Sequence, residues 1–319
     1  MPTATPYVTV VIPTTLRRPD LLPRALASAR DQRGVTTDIV IVADAAPGTS
    51  VPDLGYDVRT VVLDGPQGAG AARNAGIAAA RGEWVAFLDD DDTWAPSKLA
   101  RQVEAATRAG GPIVVATRFA LIRNGRVESV LPRRPYRPTD DVSEWVHCEH
   151  LPFGRRGWVI TSTLLLDTDL ARRCPFADVR TGEDVELVLR ATRRHGARFV
   201  LVDEPLTDYY VEDAREHLTG RWAWQDVIAF VDRFHDLFTP TSRPAAILTM
   251  ASRHPSAPRV YPAIVQAAFA RGRPRATDLL ASAAYAFTPL ALRRALRAAL
   301  SSQRHRPHRG PPRHRQGRD

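Results

Sequence analysis

Four consecutive aspartates, Asp89-Asp90-Asp91-Asp92, follow directly on the apolar run EWVAFL at residues 83–88. Like charges this close raise one another's pKa, and a divalent cation relieves that repulsion. Hard Mg²⁺ or Mn²⁺ prefers carboxylate oxygens and commonly shares them with substrate phosphates. Aspartate is also favoured at turns and helix N-caps, so the run alone is equally compatible with a solvated acidic turn. A second acidic pair, Glu183-Asp184, opens a helical pattern, where the macrodipole favours carboxylates whatever else they do. Asp44 and the pair Thr14-Thr15 each close another apolar run.

For these groups to act together the chain must bring several strand ends to one place. Residues 7–13 (YVTVVIP) read as a buried strand, followed by a helix over 19–32 and further strands over 38–43 and 59–63. A Gly/Ala-rich helix covers 70–80, a fourth strand 83–88, and another helix 96–109. Continuous apolar strands separated by helices predict parallel pairing with both faces covered, a doubly wound α/β sheet. Ligands on such sheets bind beyond the carboxyl ends of the strands. Pro13, Thr14, Thr15, Asp44 and the aspartate run all fall there. The second half is less regular. Residues 113–121, 158–166 and 198–203 are apolar enough for strands, 184–195 read as a helix, and 132–156 as loop. From residue 216 onward the pattern is helical, over 222–238 and 262–287, ending in the short basic amphipathic stretch 289–300.

Several segments resemble, in order and spacing, the family 2 glycosyltransferases, which have the GT-A fold. RGEWVAFLDDDDTWAPSKL (81–99) resembles the family's aspartate region, VTVVIPTT (8–15) its opening strand, and TDIVIVADA (37–45) its second strand. GPQGAGAARNAGIAAARGEW (65–84) resembles the stretch leading into the aspartates, and TGEDVELVLRATRRHGARFVLVDEPL (181–206) the catalytic Glu-Asp helix with its following strand. The resemblance implies an inverting transferase that moves a sugar from a nucleotide-diphosphate donor (UDP first, then dTDP or GDP) to a hydroxyl acceptor, assisted by Mn²⁺ or Mg²⁺. It places Pro13, Thr14, Thr15 and Asp44 on the donor nucleotide and Arg73 as a basic group near it. Asp91 matches the metal ligand, Asp89 and Asp90 supporting positions on the donor, and Asp184 the general base. Asp92 then caps the next turn. Glu183 and Trp158, with Trp145, Phe153, Arg155 and Arg156, fall to the acceptor side. The pattern departs from the family at Ala43 and Ala45. It departs again at Glu212-Asp213, where relatives carry a histidine; here His217 follows five residues on. The implied organisation is a GT-A domain over 1–215, with a donor half 7–110 and an acceptor and catalytic half 111–215. A helical extension covers 216–300 and a disordered basic tail 301–319.

Two other classes remain alongside this one: a sugar-phosphate nucleotidyltransferase, and a non-catalytic protein that binds nucleotide sugars or polyanions. The first also sets carboxylates and a metal beside a nucleotide, but its lysine- and glycine-rich loop is missing near the N-terminus. Gly68-Ala69-Gly70 partly imitates a dinucleotide motif, yet Arg73 occupies the third glycine position. His147-Cys148-Glu149-His150 has metal-ligand residue types at adjacent positions, which rarely converge on one ion, and reads as polar loop. Trp222 and Trp224 read as packing residues.

Composition is that of an ordinary soluble domain, 44% hydrophobic and 25% charged over 319 residues. The formal charge of +9 is uneven: residues 301–319 hold six arginines against Asp319 alone. That Pro/Arg/His-rich tail cannot form a core. It reads first as a solvated tail. Contact with an anionic membrane surface, through it and the stretch 289–300, or with a polyanion is the alternative, and nucleic acid is not the expected partner. Two cysteines are too few for a disulfide framework, and the first residues lack a signal-peptide pattern, so a cytoplasmic location, at the inner membrane face, is expected.

Overall fold

The computed structural model describes residues 5–18, 20–50, 52–53, 57–149, 157–179, 182–211, 223–254, 256–289 and 292. Strand β1 (Tyr7–Thr14) is the hub of the first half of the sheet. It pairs in parallel with β2 (Thr36–Ala43) on one side and β4 (Trp84–Phe87) on the other, while β3 (Val58–Val62) extends the sheet beyond β2. Side chains alternate across a strand, and that alternation divides the core in two. Val8, Val10, Ile12, Ile39 and Ile41 face helices α1 (Leu22–Arg30) and α3 (Lys98–Ala109). Val11, Val40, Val42 and Phe87 face helix α2 (Ala69–Ala79) and the larger cluster. Helices thus cover both faces, as the continuous apolar runs predict.

The second half departs from an all-parallel sheet. Strand β8 (Leu165–Asp167) inserts antiparallel between β4 and β6 (Ile113–Arg123). The expected strand over 158–166 is therefore mostly something else: Thr161–Thr163 form a 3-10 turn before these three residues join the sheet. Strand β9 (Arg198–Tyr210) runs parallel to β6 and past the expected end at Asp203. Irregular register around Arg118 accommodates Pro205, which lacks a donor for the ladder. The two-residue β5 (Thr93–Trp94) caps the edge, and β7 (Arg126–Leu131) pairs only with β6. Because β8 is antiparallel to both neighbours, β6 and β9 point the same way as β1 and β4. The segment before β8 and the end of β9 consequently arrive at the end of the sheet where the aspartates lie.

Three short helices were not evident from periodicity: α4 (Val142–His147), α5 (Thr168–Arg173) and, farther on, α8 (Ser242–Ala251). Helix α6 (Glu183–Arg194) starts at Gly182, whose φ of 80° suits glycine. Beyond β9 lie α7 (Trp224–Arg233), α8, α9 (Ala257–Phe269) and α10 (Ala276–Phe287). These helices share the core of α6: Phe230, Val231, Ile247 and Leu248 cluster with Leu187 and Val188. Buried Ser143 and Ser242 meet at 2.7 Å, and the Glu149 N–H donates to Asp278 at 2.9 Å. The segment His147–Glu149 is thus buried, not a polar loop, with His147 packed on Phe238. His150, Phe153, Arg155, Arg156, Glu212, Asp213, His217, Trp222 and the basic tail lie outside the described residues. Trp224 is partly buried against the core. Among the described residues no helix is long and apolar enough to cross a membrane.

Gly82, in the turn between α2 and β4, presses on the start of β1. A Cβ there would stand 2.6 Å from the Thr9 nitrogen and 2.7 Å from the Tyr7 carbonyl, both backbone atoms that cannot yield cheaply. Gly82→Ala is expected to destabilise the protein by about 3 kcal/mol, read as a lower urea midpoint with unchanged slope. An unaltered midpoint would show that the turn relaxes freely.

Candidate functional site

The aspartate run leaves β4 immediately after Leu88, and its four side chains part company. Asp92 is almost fully buried and accepts from the Ser162 hydroxyl at 2.6 Å and the Tyr210 N–H at 3.3 Å. It does not cap the next turn, as expected, but ties the run to the segment before β8 and the end of β9. Burial raises its pKa well above the usual carboxylate range. Ser162 is itself bridged back to the run by the Asp89 N–H at 3.1 Å.

Asp90 turns toward β1. Its carboxylate accepts from the Thr14 hydroxyl at 2.6 Å and from Arg18 at 2.9 Å. Burial still pushes its pKa up to about 6, against the pull of Thr14 and Arg18. Asp91 faces solvent more openly, with its side chain 21% exposed, and pairs with Arg18 at 2.6 Å. Its backbone carbonyl accepts from Arg24 of α1 at 2.9 Å, and the Arg24 guanidinium lies over the Tyr210 ring.

Asp89 points the other way, toward Arg73. This buried α2 arginine reaches Asp89 at 2.7 Å with one nitrogen and Glu183 at 3.1 Å with another. A single guanidinium thus joins the aspartate run to the first turn of α6. Next to Glu183, the Asp184 carboxyl accepts from the Val185 N–H at 2.7 Å. Its pKa is raised to about 7, first by burial and then by the neighbouring Glu183 charge, with Arg73 opposing both. The Tyr209 phenol is also held protonated, by burial and by the fields of Asp92, Asp91, Asp89 and Asp184. Its ring meets Phe119 edge-on, and Phe119 meets Trp158 in the same manner.

Asp44 stands at the end of the neighbouring strand, β2. Its two oxygens accept the N–H groups of Gln67 at 2.6 Å and Gly68 at 2.8 Å, fixing the turn that starts α2. Pro13 and Thr14 are buried at the end of β1, whereas Thr15 is exposed beside them. The structure therefore assembles Thr14, Arg73, Asp89, Asp90, Asp91, Glu183 and Asp184 around one end of the sheet, with Asp44 at the neighbouring strand. Arg73 is committed to two carboxylates, not left open beside a nucleotide. Arg18, Arg24, Ser162, Tyr209 and Tyr210 escaped the sequence reading. Only Arg18 carried a readable signal, as half of the basic pair Arg17-Arg18 just past a strand's carboxyl end.

Residues 9–157, a little under half of the chain, match the family described as Glycosyl transferase family 2. It is 45% identical over 113 residues to the succinoglycan biosynthesis protein ExoO of Rhizobium meliloti, covering 34% of this chain and 32% of the relative. It is 27% identical over 188 residues to the amylovoran biosynthesis glycosyltransferase AmsB of Erwinia amylovora, covering 54% and 60%. The chain thus spans between a third and three fifths of the length of these relatives. Among solved structures it is similar to TarS 1–349 of S. aureus in complex with UDP-GlcNAc: TM-score 0.54, 14% identity, 88% of this chain and 90% of that one. It is likewise similar to the mannosyltransferase PcManGT of Pyrobaculum calidifontis in complex with GDP-Man and Mn²⁺: TM-score 0.52, 20% identity, 95% and 81%. The fold is that of the GT-A glycosyltransferases, a mixed sheet whose long ladders are mostly parallel, joined to C-terminal helices.

Removing the Arg73 guanidinium leaves Asp89 and Glu183 facing each other without a cation. Arg73→Met should lower unfolding stability by about 3 kcal/mol, measured by urea denaturation. A loss within error of zero would mean the two carboxylates are not held by this group.

Proposed function

We propose that this protein transfers a sugar, with inversion, from a nucleotide-diphosphate donor to a hydroxyl acceptor. The observation that carries the reading is the Arg73 bridge, which holds the aspartate run within one guanidinium's span of the turn bearing Asp184. A donor-side acidic group and a base candidate with a pKa near neutrality so share one site.

The carboxylates also suit a hard divalent cation. Among the described residues there is no cluster of three or more ligating side chains. That fits Mg²⁺ or Mn²⁺, which take one or two protein carboxylates and complete their shell with water and substrate phosphates. Asp91, the more accessible member beside Asp90, would hold it. Such an ion, when bound, offsets the charge that develops on the departing diphosphate.

Thr14 and Asp44 stand where the nucleotide is bound at the ends of β1 and β2. Each Asp44 oxygen keeps a second acceptor direction beyond its backbone bond, enough to receive a base N–H. Asp89 and Asp90 contact the donor ribose and sugar, and Pro13 and Thr15 shape the same wall. Ionised Asp184 accepts the proton of the acceptor hydroxyl as that oxygen attacks the anomeric carbon opposite the diphosphate. Glu183 and Trp158, with Tyr209 beside them, form the acceptor wall. UDP is the first donor carrier to test, then dTDP and GDP. The same reading assigns residues 1–215 to the transferase unit, 216–300 to a helical extension and 301–319 to a basic tail.

A cytoplasmic protein docked on an anionic membrane completes the proposal. Leu280 and Phe287, two helical turns apart on α10, are 66% and 58% exposed. They precede the basic stretch 289–300 and the Arg-rich tail. Anionic-liposome co-sedimentation should therefore fall on deleting residues 289–319, and equal sedimentation of both forms would remove this element.

Asp184→Asn should retain donor binding but lower kcat about 10³-fold, whereas Asp91→Ala should lose the Mn²⁺ dependence of nucleotide binding seen in thermal shift. Because the active form of Asp184 is ionised, kcat/KM of the native protein should rise with pH through about 7 and then level. Full turnover by Asp184→Asn, or a flat pH profile, would contradict its role as base.

A further inference from the structure

One guanidinium in the site is placed differently from the buried strut at Arg73. Arg18 lies in the loop after β1, with its side chain 42% exposed, and spans two adjacent carboxylates: Asp90 at 2.9 Å and Asp91 at 2.6 Å. The loop is tied to the same carboxylate pair, since the Leu16 N–H donates to the Thr14 hydroxyl, which in turn donates to Asp90. Leu16 holds a left-handed backbone with φ of 58°, an unfavourable conformation for leucine at a bend that directs the chain over the aspartates.

We propose that Arg18 is a built-in counter-cation that the metal and nucleotide displace together, making the binding of each depend on the other. The inference rests on the donor-site reading above. With no donor present, Arg18 offsets part of the charge of the two carboxylates and occupies one Asp91 oxygen that a divalent ion would compete for. An ion alone must displace it from Asp91 and set a second cation beside a guanidinium that keeps only Asp90, so binding of the ion alone is weak. A nucleotide diphosphate supplies the missing counter-charge. Arginine pairs well with phosphate oxygens, and the exposed side chain can move from carboxylate to diphosphate without being unburied. Arg73 cannot make this exchange, because it is buried and already shared by Asp89 and Glu183. Thermodynamic reciprocity then requires the nucleotide to tighten the metal by the same factor as the metal tightens the nucleotide.

The test is a titration of Mn²⁺ into the full chain, followed by the EPR signal of free Mn²⁺, with and without UDP, GDP or dTDP. Native protein, Arg18→Gln and Arg18→Lys are compared after their thermal transitions have been checked. Arg18→Gln should bind Mn²⁺ alone about tenfold more tightly and bind nucleotide in saturating Mn²⁺ about tenfold more weakly. The native coupling between the two ligands should nearly vanish, and Arg18→Lys should fall between. Unchanged or weakened binding of Mn²⁺ alone by Arg18→Gln would overturn the exchange. Tighter Mn²⁺ binding with unchanged nucleotide affinity would overturn the transfer of Arg18 to the diphosphate. Native protein that binds neither Mn²⁺ nor any of the three nucleotides would sink the donor-site reading itself, and this inference with it.

Discussion

A guanidinium removed from water must find counter-charges within the protein, and leaving one unpaired would be strongly destabilising. Arg73 finds two, one at the end of β4 and one in the first turn of α6. Those carboxylates are 94 residues apart in the chain, at positions 89 and 183. The bond is therefore a fold-level constraint as well as a local contact: the two halves of the sheet close correctly only if Asp89 and Glu183 meet the same cation. Helix α2, packed on β1 through Gly76 and Val11, fixes where that cation stands. The position of Asp184 follows, since it is carried by the same turn as Glu183.

The same logic explains how four successive aspartates can share one bend. Their charges are answered by partners on several elements, with Arg18 serving two of the four. Asp89 goes to Arg73, Asp90 to Thr14 and Arg18, Asp91 to Arg18, and Asp92 to Ser162 and Tyr210. Asp92 is the mechanical member, buried where the start of β8 and the end of β9 converge. Asp91 and Asp89 keep part of their side chains open to solvent, 21% and 32%, and of these two Asp91 lies beside Asp90 and Arg18. A site of this kind has much of its electrostatic repulsion already answered before any ligand arrives, and the remaining imbalance sits where a cation and a diphosphate would enter.

Much of the first half of the sheet was legible because its strands are buried on both faces and their apolar runs are uninterrupted: β1, β2 and β4 fall within two residues of where their sequences place them. The second half was harder for physical reasons. In β9 the run is broken by Asp203-Glu204-Pro205, which reads as a strand end, yet the irregular register against β6 carries the strand on to Tyr210. Around Ser162, apolar flanks suggested a strand, but this segment supplies hydrogen bonds to Asp89, Asp92 and Trp94, and so turns instead of pairing. Helix α4 was read as loop: it is only six residues long, and its N-cap, Asp141, which accepts the Glu144 N–H, is visible only in the fold. The identities of the site residues were legible as types and spacings. Their pairings, such as Arg73 turned from a nucleotide to two carboxylates, depend on distances only the fold defines.

In the proposed function Arg73 is a fixed strut between the aspartate run and the turn of Asp184, while Asp91 is the group that meets the metal. Anomalous diffraction from crystals soaked with Mn²⁺ and UDP tests both at once. A manganese peak is expected at the Asp91 carboxylate and the nucleotide diphosphate, with Arg73 still bonded to Asp89 and Glu183. A peak away from Asp91, or an Arg73 guanidinium turned onto the diphosphate, would contradict the proposal.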